Sequence, residues 1–500
     1  FGRSSWCRHK KRDLAHKSVA VRRRGLMRSD VSNTALILSL LEDTVDINTL
    51  EEACLAFARE LFMVVLQTLD DELLKHRAEG LVCVGKRSRT ILTKIGEIRI
   101  TRRLYRKATN GKKARCRFLL DEALKIQPRR RVTHGLLRLM VSLSTRLSFR
   151  ESAEVLEEAG FPRVSHATVH AEVRRYGELV KKRLENQRRL VFEFGQELSS
   201  PTGKKKVPFL ILEVDGLLVG LQGGHGRKQE IKLGVAYEGW EIQGKQRKLQ
   251  NATVMMGAFE NGDDFWESFS ACLSERYDFS VIQVIVNGDG ARWIQEQAGV
   301  YFKGCIVQLD RFHLMRDLRL LFRNKAKELM SVLETGDIQV FMDTLESLEP
   351  EVPEKKRKLF NKLLRQCRKY PSHLVDYRSR LREEQRQGYF FSGLGVAETM
   401  VDKKLANRMK KRGMRWSREG AWCMALLLML RANGQLHQWL EETSHEDIQN
   451  PVKEATIRKR IASRTLLQDP TWRHVCIPSL NGPTRPWKIA LRALAGLAST

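Results

Sequence analysis

Three acids in this 500-residue chain stand where a carboxylate can do chemistry. Asp215 ends an otherwise apolar run, Phe209-Leu-Ile-Leu-Glu-Val-Asp, where an ionised carboxylate is costly unless a metal or a cation neutralises it. Asp289 follows the β-branched run Val281 to Val286, inside Asn287-Gly288-Asp289-Gly290, whose glycines permit a sharp turn with the carboxylate at a strand end. Glu398 opens a helix after the break Gly393-Leu-Gly395. Hard oxygen ligands of this kind suit Mg²⁺ or Mn²⁺ rather than zinc. Two such ions can clamp an in-line phosphoryl displacement. Plainer readings stand beside this one: a turn aspartate, and a glutamate that favours the amino end of a helix. Asp402, one turn beyond Glu398, is the rival third acid.

Further candidates surround these three. A second apolar run, Cys305 to Leu309, delivers Asp310 and His313. They read either as a helix cap and a packed histidine, or as accessory groups that orient water or position a base. Glu213 shares the face of Asp215 by strand alternation, so it is a supporting acid or the partner of a lysine.

The elements that must position these residues follow one grammar from Val207 onward. Strand runs cover Val207 to Leu221, Glu230 to Tyr237 and Gln250 to Ala258. A helix follows from about Asp263 to Tyr277, and then two strands end at Asp289 and Asp310. Three strands, helix, strand, helix, strand, helix is the order of an RNase H-like α/β domain with a mixed five-stranded sheet. Its first part spans 207–313, a charged α-helical insertion spans 314–387, and 388–440 returns the final helix with the third acid.

Before this domain lies a mainly helical region. Residues 1–30 carry ten Lys or Arg against two Asp and read as a basic arm. Over 31–131 a helix starts at Asn48 with Glu51 as its capping partner, with an apolar stripe at Leu50, Cys54, Phe57, Leu61, Val64 and Val65. A β-hairpin follows around Gly96 with Arg99, Arg102, Arg103 and Arg106 nearby. Over 132–195, Ser148 and Glu151 cap a helix that ends at Gly160, and Ser165 caps a second running from His166 to Lys182. Helix, glycine-containing turn and basic helix is the pattern of a helix-turn-helix, shared with many helical hairpins. Residues 195–206 read as the main interdomain linker, and 441–500 as an irregular tail.

Charge points to the partner. Lys plus Arg number 89 against 59 Asp plus Glu, a net charge of +30. Such a basic chain fits a polyanion, most simply double-stranded DNA. The DNA contacts expected are Ser165, His166, Thr168, Arg174 and Arg175 in the second helix, with Arg408, Lys410, Arg415 and Trp416 after Glu398. The nine cysteines form no C-x-x-C pair, which argues against disulfides and structural zinc and fits a reducing cytoplasm. The longest apolar run, Ala421 to Leu430, is about half a membrane span, and no signal peptide is expected.

GDGA with Trp293-Ile294, LDRFH, and GVAE followed by NRMKKRGMRWS together resemble bacterial insertion-sequence transposases of the DDE class, in particular the ISLre-two family of the Mutator-related group. The resemblance covers about Glu97 to Gly434. It implies that Asp215, Asp289 and Glu398 hold the ions, and that Asp310-Arg-Phe-His313 is similar to that group's [C/D]-x-x-H signature. It also implies binding of terminal inverted repeats and target DNA by at least a dimer, in a nucleoid-associated bacterial setting. Two other readings stay open: a structure-specific metal-dependent nuclease or resolvase, and a catalytically inactive DNA-binding regulator.

Overall fold

The computed structural model describes residues 46–446, except 108–115, 128–129, 199, 201–202, 224–226 and 245. The basic arm expected over 1–30 and most of the tail expected over 441–500 lie outside the described residues. What is described forms two compact units: residues 46–136 with Glu158–Pro162, and Leu137–Glu157 with the chain from Arg163 onward.

In the first unit, helix α1 (Ile47–Lys75) is capped by Asp46, whose Oδ1 accepts the amides of Asn48 and Thr49 at 2.8 and 2.9 Å. The start expected from Asn48 and Glu51 is thus set earlier, because one aspartate satisfies two otherwise orphaned donors. Strands β1 (Leu81–Thr93) and β2 (Gly96–Lys107) pair antiparallel. They share a core of Leu66, Ile91, Ile98, Ile100 and Leu120 with α1 and a short following helix. Three of the hairpin arginines are bound by acids. Arg103 reaches Asp70 at 2.7 Å and Asp71 at 2.6 Å, while Arg102 and Arg89 converge on Asp121. None of the stripe expected on α1 is buried: Cys54, Leu61, Val64 and Val65 are exposed, and Leu66, outside that stripe, is the buried apolar residue instead.

The second unit takes its helices and strands in this order. Helices α2 (His134–Ser144), α3 (Phe149–Glu158) and α4 (His166–Phe192) come first. Strands β3 (Phe209–Leu221), β4 (Lys228–Tyr237), the small hairpin β5 (Trp240–Gln243) and β6 (Gln246–Leu249), and β7 (Thr253–Gly257) follow. Then come α5 (Gly262–Ser274), β8 (Gln283–Gly288) and β9 (Ile306–Leu309). Four helices, α6 (Arg311–Phe322), α7 (Ala326–Glu334), α8 (Ile338–Ser347) and α9 (Glu354–Lys369), make the expected insertion, which starts three residues before 314. The chain returns through α10 (Val396–Met400), β10 (Arg415–Trp416), α11 (Arg418–Ala432) and α12 (Leu436–Glu446), so helix continues past the boundary expected at 440.

The protein is mixed α/β. Its main sheet has the order β7-β4-β3-β8-β9, with β4 antiparallel to both neighbours and β3, β8 and β9 parallel. A sixth strand, absent from the five expected, is β10. Strand β8 stops beside Val214, which leaves the rest of β3 without a partner on that side, and β10 pairs there with Gly220 and Leu221. Covering an open strand edge is a general requirement of sheets. No helix among the described residues is long and apolar enough to cross a membrane.

The linker expected at 195–206 does not separate units. Helix α4, before it, packs on α5 and α11, after it. The face of α4 formed by Val169, Val173, Tyr176, Gly177 and Val180 is buried, and α11 is apolar all round, as a helix enclosed between layers must be. The approach is close: a Cβ built on Gly177 stands 2.3 Å from Cys423 Cβ. Gly177→Ala is therefore expected to destabilise the second unit by about 2 kcal/mol, an overpacking cost, measurable as a lowered midpoint in urea.

Candidate metal centre

The site forms where parallel strands stop. Register pairs Val214 of β3 with Gly288 of β8, so Asp215 and Asp289 emerge side by side just beyond. Gly290 has φ +84°, a left-handed conformation that lets the chain leave β8 sharply. On the other side of β8, Gly288 O accepts the amide of Asp310 at 2.8 Å. Asp310 then caps α6: its Oδ1 accepts the His313 amide at 2.9 Å and lies 3.2 Å from the ring Nδ1. Asn287 Nδ2 donates to its other oxygen at 2.7 Å. These three hydrogen bonds orient the imidazole and fix its Nδ1 side toward Asp310.

Glu398 arrives from far along the chain, and Glu213 receives it. The Glu213 carboxylate is fully buried; one oxygen accepts the amides of Gly395, Val396 and Ala397 at 2.7, 2.8 and 3.3 Å. The other oxygen accepts the Tyr237 hydroxyl at 2.5 Å. An acid at the amino end of a helix satisfies orphaned donors and favours the helix dipole. Gly395 itself has φ +142°, which gives the chain its turn into α10. Of the two readings of Glu213 from sequence, the supporting acid is the one realised. Burial pushes its carboxyl up, against the pull of these donors. Glu213→Ala leaves three amides without that acceptor. It is expected to cost about 3 kcal/mol, within the range for breaking a buried charged network, read by chemical denaturation.

Three side chains then converge. Ligand atoms of Asp215, His313 and Glu398 all lie within 4.8 Å of one another, and His313 Nε2 stands 3.7 Å from Glu398 Oε2. Asp215 is buried, and burial is the main reason its carboxyl is pushed up to about 7. The Gly216 amide counters this at 2.7 Å, while the charges of Asp289 and Glu398 add to it and His313 opposes it. Burial alone would lower His313, yet the hydrogen bond and charge of Asp310, with Asp215, raise it overall. Burial works on Asp310 in the opposite sense, but bonds from His313 and Asn287 bring it down. Two carboxylates and one imidazole around one point fit a divalent cation, which would neutralise the acid crowding that burial makes costly.

The closest cluster differs in one member from the three acids expected. Asp289 is close enough for its charge to act on Asp215, but its Oδ1 accepts the Ala291 amide at 3.0 Å in the turn after β8. His313, expected only as an accessory, stands in the cluster with Asp215 and Glu398. Asp402 is separated from the group: it is exposed and paired with Lys411 at 2.6 Å.

The residues expected to touch DNA divide by burial. Ser165 caps α4, accepting the Thr168 amide at 3.1 Å, and His166 and Lys410 are exposed. Arg174 pairs with Glu419, and Arg175 lies 3.6 Å from Glu172. Arg415 is exposed on β10. Arg408 and Trp416 are not the exposed surface expected, because both are interior. The guanidinium is only 3% exposed and lies 5.3 Å from the ring centroid of Phe149 and 5.0 Å from that of Trp416. Its Nε donates to Ser144 O at 2.6 Å, and Trp416 Nε1 donates to Met409 O. Asn287 and Tyr237 were not singled out from sequence; they lie on strands β8 and β4, and only the pairing of those strands with β3 brings them to Glu213.

Fold and site define a mixed α/β protein with a largely buried two-carboxylate, one-histidine cluster where the parallel pairing of its sheet stops. The chain belongs to UPF0236, an uncharacterised protein family, whose model matches residues 38–446. A UPF0236 protein in the vanSb 3′ region of Streptococcus gallolyticus is 26% identical over 470 residues, covering 89% of this chain and 96% of that one. Another, from Caldanaerobacter subterraneus subsp. tengcongensis, is 24% identical over 485 residues, 94% of this chain and 93% of its own. Its name joins eleven locus labels. A further UPF0236 protein of that organism is 26% identical over 369 residues, 72% of this chain and 71% of its own.

Proposed function

We propose that this protein is a DDE-type DNA transposase on an RNase H-like domain, which nicks the ends of its element and joins the freed 3′-OH to target DNA. The observation that carries the reading is the meeting of Asp215, His313 and Glu398, from three distant segments, at one end of the sheet. The strand order β7-β4-β3-β8-β9, with three antiparallel strands followed by two parallel ones, supports the fold assignment. A relative whose name joins eleven locus labels fits a gene that multiplies within a genome.

Asp215, Glu398 and His313 would hold Mg²⁺ or Mn²⁺, with Asp289 placed to share a second ion with Asp215. Bound there, the ions supply Lewis-acid stabilisation of charge on the phosphoryl oxygens. The protein's part is positioning. Asp310 takes the Nδ1 proton of His313 in a hydrogen bond, so Nε2 faces the cluster with its lone pair. Glu213 holds the helix that presents Glu398.

The test uses the full chain with a labelled duplex carrying the sequence that flanks its reading frame. With Mn²⁺ or Mg²⁺, a nick with a 3′-OH appears, followed by a joined product that a dideoxy end blocks. Nicking with no joined product favours a nuclease; no metal-dependent nicking at all overturns the proposal.

A further inference from the structure

A cavity of about 330 Å³ opens in the second unit, with neither Asp215, His313 nor Glu398 in its wall. Six cations line it: Arg146, Lys403, Lys404, Arg408, Arg412 and Arg431. No carboxylate lines it among the described residues. Arg412 is paired with Glu151 at 2.9 Å, and Arg431 donates to the carbonyl of Thr145 at 3.0 Å. Arg146, Lys403 and Lys404 have no ion pair among the described residues. The buried guanidinium of Arg408 keeps one nitrogen, Nη2, without a hydrogen-bond partner.

This assembly is unfavourable as it stands. Burial, and then the charge of Arg146, lowers Arg431; burial, and then Arg412, lowers Arg408 to about 10. Like charges gathered from three separate segments need an anion to offset them. The loop after α2 gives Arg146, the end of α11 gives Arg431, and the helix that carries Glu398 continues into Lys403 and Lys404. That continuation is a π-helical turn, Val401–Ala406, of the kind often found at functional sites. At the α-helical rise of about 1.5 Å per residue, an upper limit where the helix widens to π, Lys404 stands at most roughly 9 Å along the axis from Glu398, about two phosphates of a strand at a rise of about 3.4 Å.

We propose that this cavity grips the phosphate backbone of a nucleic-acid strand a few nucleotides from the bond presented to Asp215, His313 and Glu398. It rests on the reading of that cluster as a phosphodiester site, which supplies the choice of a strand over a small anion. Lysines act here as point charges and the arginines as forked donors, a mixture that tracks phosphates without reading bases.

The test is the affinity of the full chain for a fluorescein-labelled duplex of mixed sequence, in EDTA, across a salt series. Arg146→Ala with Lys404→Ala is expected to weaken binding about ten-fold at low salt. The slope of log K against log salt should fall by about two, one for each phosphate no longer neutralised. Lys355→Ala with Lys358→Ala, on exposed α9 positions, removes the same charge elsewhere and should change little. Equal losses in the two pairs, or an unchanged slope, overturn the clamp. So does stabilisation by pyrophosphate that the first pair abolishes without any change in DNA affinity, which marks a small-anion site. Should the alanine pair melt early, Arg146→Gln with Lys404→Gln makes the same reading. Binding is scored without cleavage. A chain that binds as described and nicks nothing sinks the proposed function alone, and one that nicks normally with the pair unaltered in affinity sinks the clamp alone.

Discussion

Asp215→Asn makes the metal-free protein more stable at pH 8, by about 2–4 kcal/mol, while ending any metal-dependent nicking. The carboxyl sits at about 7 in the fold against 3.8 when free. A gap of about three units is worth roughly 4 kcal/mol at 1.36 kcal/mol each, an upper bound. The sign follows from which form the fold prefers. A raised value means the folded chain binds this proton more tightly, so its stabilising contribution is complete below pH 4 and lost as pH climbs through 7. Asparagine never ionises, keeps an oxygen for the Gly216 amide, and escapes the charges of Asp289 and Glu398. The gain should be greatest above pH 7 and close below pH 4. Denaturation in EDTA at pH 8 and at pH 4 reads both. A variant no more stable than wild type at pH 8 would mean that Asp215 is not the strained group described. Stability surrendered to a working site is a recurrent trade in proteins.

On the proposed reading, Glu398→Gln is expected to lower nicking by about 10³-fold or more, since it would remove one of three ligands to the ion that reading requires. Asp402→Asn, one turn on, should stay within about three-fold, because Asp402 is occupied by Lys411 outside the cluster. A readout independent of activity accompanies this. Mn²⁺ at about a hundred times its dissociation constant should stabilise the wild-type fold by roughly 2.7 kcal/mol, and do little for Glu398→Gln. Chelation should reverse the effect. If Asp402→Asn loses activity and metal stabilisation while Glu398→Gln keeps both, the third ligand has been misassigned.

Much of the sheet was legible because its signals are local. A β-branched run ended by glycines marks a strand whatever surrounds it, and Asp215 stood out because an acid in an apolar strand must be accounted for nearby. What could not be read depended on partners distant in sequence. His313 gains its place only when Glu398 comes within 3.7 Å of its Nε2, and nothing in LDRFH announces that arrival. Arg408 and Trp416 looked like exposed basic surface because a run of cations usually is one. Phe149, far earlier in the chain, helps enclose the guanidinium. Helix α4 read as a basic recognition helix ending at Lys182, yet it runs to Phe192 and its valine and tyrosine face is buried. Its basic residues are real, but the helix is part of the unit's interior. Asp289 was assigned as a ligand by its position at a strand end, and the same position gives it a turn amide to accept.

The capture of α10 by Glu213 uses backbone amides alone, and so it is blind to side chains. Gly395 is held by its φ of +142° and Ala397 by burial; beyond that, what matters at 395–397 is that each position keeps an N–H. Proline is the one residue that cannot offer it. Position 396 above all can therefore drift between relatives while Glu398 is still delivered to the same place, provided the buried glutamate, the glycine at 395 and the three hydrogens remain.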